Sequence, residues 1–355
     1  MRQKETALSL SFHITPNALT DAYSLRATAA MRCAFPSKQQ LSSNATFVVM
    51  KVLIATEKPF AQEAVKGIKD ILDTANYEML LLERYTEKAQ LLDAVKVADA
   101  LIIRSDKVDS EVMDAAPNLK IVVRAGAGYD NVDLKAATER GIVVMNTPGQ
   151  NANAVAELVF GMLIYTIRNR FDGTSGWELM GKKLGLLAFG AVAQNVARIA
   201  HGMGMDISSY SPLNRPQKII DAGYHVHESI QDLFKYNQIV SLHIPSTPET
   251  RGSITYDLIM SMRKNGVLVN TARQDIIDEE GLIRAMTERT DLHYVTDLKL
   301  KDHERAIEAL GDRYLFTPKK MGAQTKEANV NAGLAAAQQI VDFFVDGVKK
   351  YQVNK

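Results

Sequence analysis

The sequence predicts an α/β fold made of two doubly wound parallel sheets, each covered by helices on both faces. From Met50 onward, strand-sized runs of apolar, β-branched residues alternate with segments whose apolar residues recur at helical spacing. Short connections join them, and this alternation is typical of parallel strands, because each pair needs a crossover that is usually helical. A long helical segment at residues 152–170 separates the strands into two sets. We therefore predict two domains, with this helix carrying the chain from one to the other.

The first set of strands shows the pattern clearly, beginning with the apolar run MKVLIATE. Its strands are predicted at residues 50–57, 78–83, 100–104, 119–124 and 142–146. Its helices are predicted at residues 62–75, 88–98, 112–116 and 134–140.

The second set follows a short polar break at residues 172–176. It opens with a strand at residues 184–189, an amphipathic helix and a second strand ending at Ser211. Further strands are predicted at residues 238–244, 266–271, 294–298 and 314–317, with helices at 228–236, 256–263, 278–286 and 303–310. A last helix at residues 327–345 has an Ala-rich face that suits close packing against another helix.

The composition is that of a globular protein without an excess of basic or acidic residues. The 355 residues carry a net charge of +1, so neither nucleic acid nor a membrane surface is an expected partner. The apolar runs are far shorter than the roughly 18 residues of a membrane span. Cys33 is the single cysteine, which excludes an internal disulfide and a cysteine-based metal cluster and fits a reducing, intracellular setting. We expect a cytoplasmic protein without a metal site.

The first 49 residues differ from the rest of the chain. They contain five Lys and Arg residues against two acidic residues, and Ser, Thr and Ala are plentiful. This is the composition of an organelle transit peptide, but a leader read through from a misassigned start would look similar. Both interpretations stay open, and residues 1–49 are left out of the predicted fold as a disordered leader.

The unit at residues 184–211 is the first indication of function. A strand-helix-strand unit with a glycine at the first turn is the usual way of holding a dinucleotide pyrophosphate. The glycine fingerprint is incomplete, because Ala188 and Ala193 replace the first and third glycines and only Gly190 is kept. The third position needs only a small residue, whereas a Cβ at the first position restricts the tight turn. We therefore predict an altered turn at Ala188 and a weakened dinucleotide affinity.

Four further motifs make this case specific. They are RAGAGYDNVDL at residues 124–134, NTPGQNANAVAELVFGML at 146–163, SLHIPSTPETRGSI leading into LVNTARQDIIDEEGL at 241–282, and TPKKMGAQTKEAN at 317–329. With LGLLAFGAVAQ at 184–194, they resemble the D-2-hydroxyacid dehydrogenase family in the same order over residues 50–355. The resemblance implies two Rossmann-like domains: residues 50–147 with 325–355 would bind the substrate, and residues 148–324 would bind the dinucleotide.

Within the family, the chain is most similar to short-form D-3-phosphoglycerate dehydrogenases, which open the phosphorylated route to serine. RSDKV at residues 104–108 lies where those enzymes bind the substrate phosphate, and Arg104 and Lys107 would supply the charge. The resemblance assigns the remaining substrate contacts to Ser105, Ala127, Gly128 and Asn151. No domain is expected after the last helix, so the regulatory domain of longer relatives would be absent. A glyoxylate or hydroxypyruvate reductase stays open as an alternative, as does a cofactor-binding corepressor-like scaffold.

The resemblance also implies the catalytic residues. Arg273 matches the arginine that holds the carboxylate and polarises the reacting oxygen. Most relatives have a histidine after the Thr-Pro of the last strand, where this chain has Lys319 and Lys320; only one of two neighbours in an extended segment faces the substrate. Which lysine does so stays open. The family's acid falls on Asp302, with Glu304 as the alternative.

For the cofactor, the resemblance implies NAD. The residue 21 positions after Gly190, where NAD enzymes carry an acid, is the neutral Ser211, so NADP stays open. The cofactor-binding residues implied by the resemblance are Phe189, Gly190, Ala191, Val192, Ser211, His243, Pro245, Thr271, Ala272, Arg273 and Asp297. Relatives generally form dimers through the cofactor domain, and we expect a homodimer that acts on a phosphorylated hydroxy acid.

Overall fold

A computed structural model describes residues 49–211 and 216–354 of the chain. The predicted leader therefore lies, except for its last residue, outside the described residues. Two parallel sheets of five and seven strands form the fold, as the sequence predicts.

The first sheet has the strand order β2-β1-β3-β4-β5. Its strands are β1 (Lys51–Thr56), β2 (Glu78–Glu83), β3 (Ala100–Ile103), β4 (Ile121–Arg124) and β5 (Val143–Asn146). The helices between them are α1 (Gln62–Thr74), α2 (Lys88–Ala94), α3 (Ser110–Asp114) and α4 (Leu134–Glu139). Every strand pair is parallel, and the central strands are buried on both faces, which explains their uninterrupted apolar sequences.

The connecting helix α5 (Ala152–Ile167) leads into the second sheet and ends three residues before the predicted boundary. It ends there because residues 169–171 have positive φ angles of 50°, 58° and 62°. The second sheet contains β6 (Lys183–Leu187), β7 (Asp206–Tyr210), β8 (His225–Val226), β9 (Ile239–Leu242), β10 (Val267–Asn270), β11 (His293–Thr296) and β12 (Tyr314–Phe316). Its helices are α6 (Ala191–Gly202), α7 (Pro216–Asp221), α8 (Ile230–Tyr236), α9 (Tyr256–Met260), α10 (Glu279–Glu288) and α11 (His303–Leu310).

The strand order in the second sheet is β12-β11-β10-β9-β6-β7-β8. Strand β8 and helix α7 are not predicted from the sequence. The strand has only two residues, too few to show a periodicity of two. Strand β8 adds one strand at the edge of the sheet, and α7 precedes it in the chain. Neither changes the position of the site.

The last helix, α12 (Lys326–Asp346), returns to the first sheet and packs on α1. Small residues permit the close approach: Ala332, Ala336 and Ala337 are buried there, and a Cβ added at Gly333 would lie 3.0 Å from Ile68 Cδ1. The C-terminal segment then covers the open edge of β5, where Val353 N and the Asn354 side chain bond to β5 and its preceding residue. Covering an edge strand removes its unpaired backbone groups from solvent.

Candidate active site

The carboxyl ends of the strands in both sheets border one cleft, which is where ligands bind in open α/β sheets. It has two adjoining parts of about 470 and 440 Å³. Residues that line both are Ser105, Arg124, Asn151, Lys320, Ala323 and Gln324. We call the part that also contains Arg104 and Lys319 the arginine end, and the part that also contains Gly128 and Arg273 the reaction end. The cleft thus brings most of the predicted substrate and catalytic residues together.

Arg104 is fixed at the arginine end by neutral partners. Its Nη1 donates to the carbonyls of Lys58 and Pro59, each at 3.1 Å, and its Nη2 donates to Asn329 Oδ1 at the start of α12. The guanidinium also lies 5.1 Å from the centre of the Phe60 ring, within cation–π distance. Partial burial lowers the pKa of Arg104, although an arginine stays charged at any physiological pH. The side chain is therefore a rigid cation without a carboxylate partner among the described residues.

Arg124 is a second cation of this cleft, and it is absent from the residues predicted as site residues. It ends β4, its Nε donates to the Arg104 carbonyl at 2.9 Å, and it lines both parts of the cleft. Its guanidinium lies so close to Gly126 that a Cβ there would be 1.6 Å from Nη1, and Gly126 has a φ of 150°. The glycine of the RAGAG motif thus makes room for this arginine. An arginine as the last residue of an apolar strand was the available signal.

Lys107 does not contribute to the cleft, in contrast to the prediction for RSDKV. Its side chain is 80% exposed and its Nζ lies 4.0 Å from Asp109. The neighbouring Asp106 turns inward instead and is 2% exposed. Asp106 accepts hydrogen bonds from the backbone of Glu57 and Arg104 and from the Tyr85 hydroxyl. Because this buried carboxylate fixes the turn after β3, the next residue faces solvent.

Arg273 lies in a turn organised by the buried Asn270 at the end of β10. The Asn270 side chain accepts from Ala272 N at 3.0 Å and donates to the Arg273 carbonyl at 2.9 Å. Arg273 Nη1 donates back to the Ala272 carbonyl at 3.0 Å, and Nη2 lies 4.0 Å from Asp130. A Cβ added at Gly128 would lie 3.2 Å from this Nη2. Arg273 therefore lies after a strand of the second sheet, and Gly128 and Asp130, from a loop of the first sheet, face it.

Lys320 is the lysine that meets this arginine. Its Nζ donates to the same Ala272 carbonyl at 3.2 Å. Partial loss of hydration lowers the pKa of Lys320 below its ordinary value, and the cationic Arg273 lowers it further, against the opposing effects of Asp297 and Asp130. Lys319 lines only the arginine end. The two lysines therefore lie in different surroundings although they are adjacent in sequence.

Asp302 and Glu304 are not brought to either lysine. Asp302 lies before α11, where its side chain is 54% exposed and 3.9 Å from Arg305. Its backbone N–H donates to Glu279, and Asp302 lines a separate cavity. Glu304 is exposed in the first turn of α11. The carboxylates that act on Lys320 are instead Asp297 and Asp130.

The turn after β6 has the form expected of a phosphate-binding loop. Gly190 is the N-cap of α6, Ala191 and Val192 form its first turn, and a Cβ at Gly190 would meet nothing within 4 Å. The space beside Gly190 is therefore open, and a helix N-terminus at such a place favours an anion. Ala188 has a φ of 75°, a left-handed conformation that costs alanine about 1–2 kcal/mol. Phe189 is buried and packs edge-on against Tyr224.

Three neighbouring strands of the second sheet are followed by buried polar atoms that have no hydrogen-bond partner within residues 49–211 and 216–354. These atoms are His243 Nε2 after β9, Thr271 Oγ1 after β10 and Asp297 Oδ1 after β11. Burial lowers the pKa of His243 to about 3, so its ring is neutral, and burial raises the pKa of Asp297. The other carboxylate oxygen of Asp297 accepts from the backbone of Met321 and Gly322. Unsatisfied buried groups at one sheet edge indicate an extended polar ligand there.

Two predicted cofactor residues lie at the margins of this edge. Pro245 is exposed two residues after His243, and Ser211 follows β7. Residues 212–215, which follow Ser211, lie outside the described residues. Over residues 49–211 and 216–354, no cluster of three or more potential ligands could hold a metal ion, and no helix is long and apolar enough to cross a membrane.

Comparison with known proteins agrees with this architecture. The sequence model of the D-isomer specific 2-hydroxyacid dehydrogenase catalytic domain matches residues 52–354, and the chain belongs to this family. Its members are oxidoreductases, and the chain is accordingly a D-2-hydroxyacid dehydrogenase by family.

Similar relatives carry several specific names. The chain is 33% identical over 307 residues to a D-3-phosphoglycerate dehydrogenase of Methanocaldococcus jannaschii, covering 82% of this chain but 57% of that protein's length. It is 34% identical over 283 residues to a hydroxypyruvate reductase of Thermotoga maritima, covering 74% and 90% of the two chains. Among solved structures, an NAD+-bound 3-phosphoglycerate dehydrogenase of Entamoeba histolytica is 47% identical with a TM-score of 0.77, covering 86% of this chain and 99% of that one.

Proposed function

We propose that the protein is an NAD-dependent D-3-phosphoglycerate dehydrogenase, which interconverts 3-phosphoglycerate and 3-phosphohydroxypyruvate on the route to serine. The observation that carries the proposal is the charge of the arginine end. Lys58, Arg104, Arg124, Lys319 and Lys320 line it, and none of the described residues adds a carboxylate to its wall. A substrate whose only anionic group is the carboxylate at Arg273 places no negative charge at the arginine end. A phosphate ester carries about two further negative charges at neutral pH, which these cations can bind.

Arg104 and Arg124 are suited to hold the phosphate. Arg104 is fixed by its Nη atoms, and its Nε has no acceptor among the described residues. Arg124 is fixed by Nε, so its two Nη groups are available toward the cleft. A guanidinium can bind a phosphate through two parallel hydrogen bonds. Together they would hold the phosphate at one end of the cleft while the carboxylate reaches Arg273 at the other.

The residues of the second sheet fit a dinucleotide. The α6 N-terminus with its open space at Gly190 would receive the pyrophosphate, and the unpaired atoms of His243, Thr271 and Asp297 would meet the remaining polar groups. When bound, NAD supplies the hydride acceptor for the oxidation of the hydroxy acid. NAD is preferred because the similar Entamoeba structure contains it. NADP stays the alternative, since Ser211 carries no charge to repel a 2′-phosphate.

In this proposal, Arg273 holds the substrate carboxylate and Lys320 exchanges the proton of the reacting oxygen. In oxidation, neutral Lys320 takes the hydroxyl proton as the hydride leaves the same carbon; in reduction, the ammonium returns it. Lys320 is preferred over Lys319 because its Nζ shares the Ala272 carbonyl with Arg273. The lowered pKa of Lys320 brings its neutral form closer to physiological pH. Lys320 would thereby replace the histidine of most relatives.

We also propose the predicted division of the chain, with residues 50–147 and 325–355 binding the substrate and residues 148–324 binding the dinucleotide. We also propose a homodimer whose subunits meet through α5 and the segment that follows it, around residues 172–177. Phe171 and Met180, which lie on either side of residues 172–177 in that segment, are 65% and 72% exposed, which suits a protein interface. A monomer in sedimentation at micromolar concentration would contradict this part.

The deciding experiment compares keto acids that differ only in the phosphate. The protein is mixed with NADH or NADPH and with 3-phosphohydroxypyruvate or hydroxypyruvate, and the loss of nicotinamide absorbance is followed. We expect NADH consumption with a kcat/KM that is higher for the phosphorylated acid. A preference for hydroxypyruvate or glyoxylate would favour the reductase alternative. No consumption of either cofactor would contradict an active dehydrogenase.

A further inference from the structure

Two lysines face the same end of the cleft from different sheets through the same local turn. Thr56 is the last residue of β1, and its hydroxyl donates to the Lys58 carbonyl at 2.6 Å. Thr317 follows the last residue of β12, and its hydroxyl donates to the Lys319 carbonyl at 2.7 Å. In each case, a threonine at a strand's carboxyl end holds the backbone of the lysine two residues later. The turns fix where both lysine side chains begin, one on each side of the arginine end.

Both lysines lack an acidic partner in the part of the chain that the structure describes. Neither forms an ion pair within 4 Å there, and both line the arginine end, which has no carboxylate in its wall. Two lysines outside the arginine end illustrate the pairing that these two lack: Lys326 lies 2.6 Å from Glu63, and Lys107 lies 4.0 Å from Asp109. The cations gathered at the arginine end repel each other, and a bound dianion relieves that repulsion.

We propose that Lys58 and Lys319 determine specificity for the phosphate group, each binding it from its own side of the cleft. This inference rests on the proposed function and goes further by assigning different roles to the adjacent lysines: Lys320 transfers the proton, and Lys319 binds phosphate. Lys58 completes the site from the first sheet, where Arg104 donates to its carbonyl. Because one lysine belongs to each sheet, a bound phosphate connects the two domains, and an unphosphorylated acid lacks this connection.

The test uses Lys58→Met and Lys319→Met, which keep the length of the aliphatic side chain and remove its charge. Lys107→Met is the matched control, because it removes a cation from the neighbouring loop that faces away from the cleft. For each variant, kcat/KM is measured with NADH for 3-phosphohydroxypyruvate and for hydroxypyruvate. We expect the ratio of the two values to fall about tenfold or more in each cleft variant, the usual size of a lost charged hydrogen bond. The control should keep the wild-type ratio.

The outcomes separate this inference from the proposed function. If wild-type protein prefers hydroxypyruvate, the proposed function fails. If it prefers the phosphorylated acid but both cleft variants keep that preference within about threefold, only the role of the two lysines is overturned. An equal loss for both acids in Lys319→Met would also overturn it, since that result identifies Lys319 as the proton-transferring lysine. Thermal unfolding of each variant, and restoration of the ratio by Lys58→Arg, show that the effect belongs to charge and not to folding.

Discussion

The two ends of the cleft contain cations of different kinds. At the arginine end, Arg104 and Arg124 donate to backbone carbonyls and an asparagine, and neither forms an ion pair with a carboxylate among the described residues. At the reaction end, Arg273 and Lys320 lie near Asp130 and Asp297, whose negative charges raise the lysine pKa against burial and the arginine. Cations without an ion pair are available to bind a dianion, whereas carboxylates near Lys320 adjust the pKa of that lysine. Recognition and chemistry are thus separated along one cleft.

The largest expected effect is that of Lys320→Met. Removing a general acid costs about 10²- to 10⁴-fold in rate. Because Lys320 meets the reacting oxygen rather than the phosphate, kcat should fall by a similar factor for phosphorylated and unphosphorylated keto acids. Steady-state kinetics with both substrates checks this, and Lys319→Met is the matched variant. If kcat fell only for the phosphorylated acid, Lys320 would act on the phosphate, and the assignment of proton transfer to the reaction end would be contradicted.

Arg104→Met should have the next largest effect, and only on one class of substrate. Loss of a guanidinium that binds phosphate through one or two charged hydrogen bonds lowers kcat/KM for 3-phosphohydroxypyruvate by about 10- to 100-fold. The value for hydroxypyruvate should change much less. Because Arg104 also fixes the Lys58 carbonyl, thermal unfolding is measured in parallel. An equal loss with both acids at unchanged stability would show that the arginine end does not read the phosphate.

A smaller effect is expected for Ala188→Gly in the dinucleotide turn. The left-handed φ of 75° strains alanine by about 1–2 kcal/mol, and the entropy of glycine in the unfolded chain offsets about half of this. The free energy of unfolding should rise by about 0.5 kcal/mol, and NADH should bind more tightly. Thermal unfolding and fluorescence titration measure the two quantities. Unchanged binding would mean that the alanine is simply tolerated in this turn.

The smallest effect is a displacement of the pH profile by Asp130→Asn. Asp130 raises the pKa of Lys320, so removal of its charge lowers that pKa further. Reduction needs the ammonium form, and its rate falls as pH rises through the lysine pKa; the fall should therefore begin at lower pH in the variant. The side chain of Asp130 is 89% exposed, and because water and salt screen it, the displacement should be small. A displacement toward higher pH would contradict the proposed balance of charges.

The sequence by itself determined the fold class and the elements that build it. Apolar, β-branched runs such as the one at Lys51–Thr56 are buried on both faces, so their periodicity already specified parallel strands with helical crossovers. The sequence also indicated a restricted backbone at Ala188, because glycine is the residue that adopts such a turn without strain, and Ala188 has a φ of 75°. The alternation missed helix α7 and the two-residue strand β8, which is too short to carry a pattern.

Only the tertiary structure decided which side chains share the cleft. Lys107 follows a strand end and carries the right charge, but the buried Asp106 turns it to solvent; Asp302 has the right spacing, yet it pairs with Arg305 on another surface. Arg124 faces the cleft because Gly126 leaves room for it. Spacing along the chain determines elements through local hydrogen bonding, whereas the direction of a loop side chain depends on what is buried beneath it. The residues buried beneath a loop are distant from it in sequence. The sequence therefore identifies the site in outline, but only the tertiary structure assigns its individual residues.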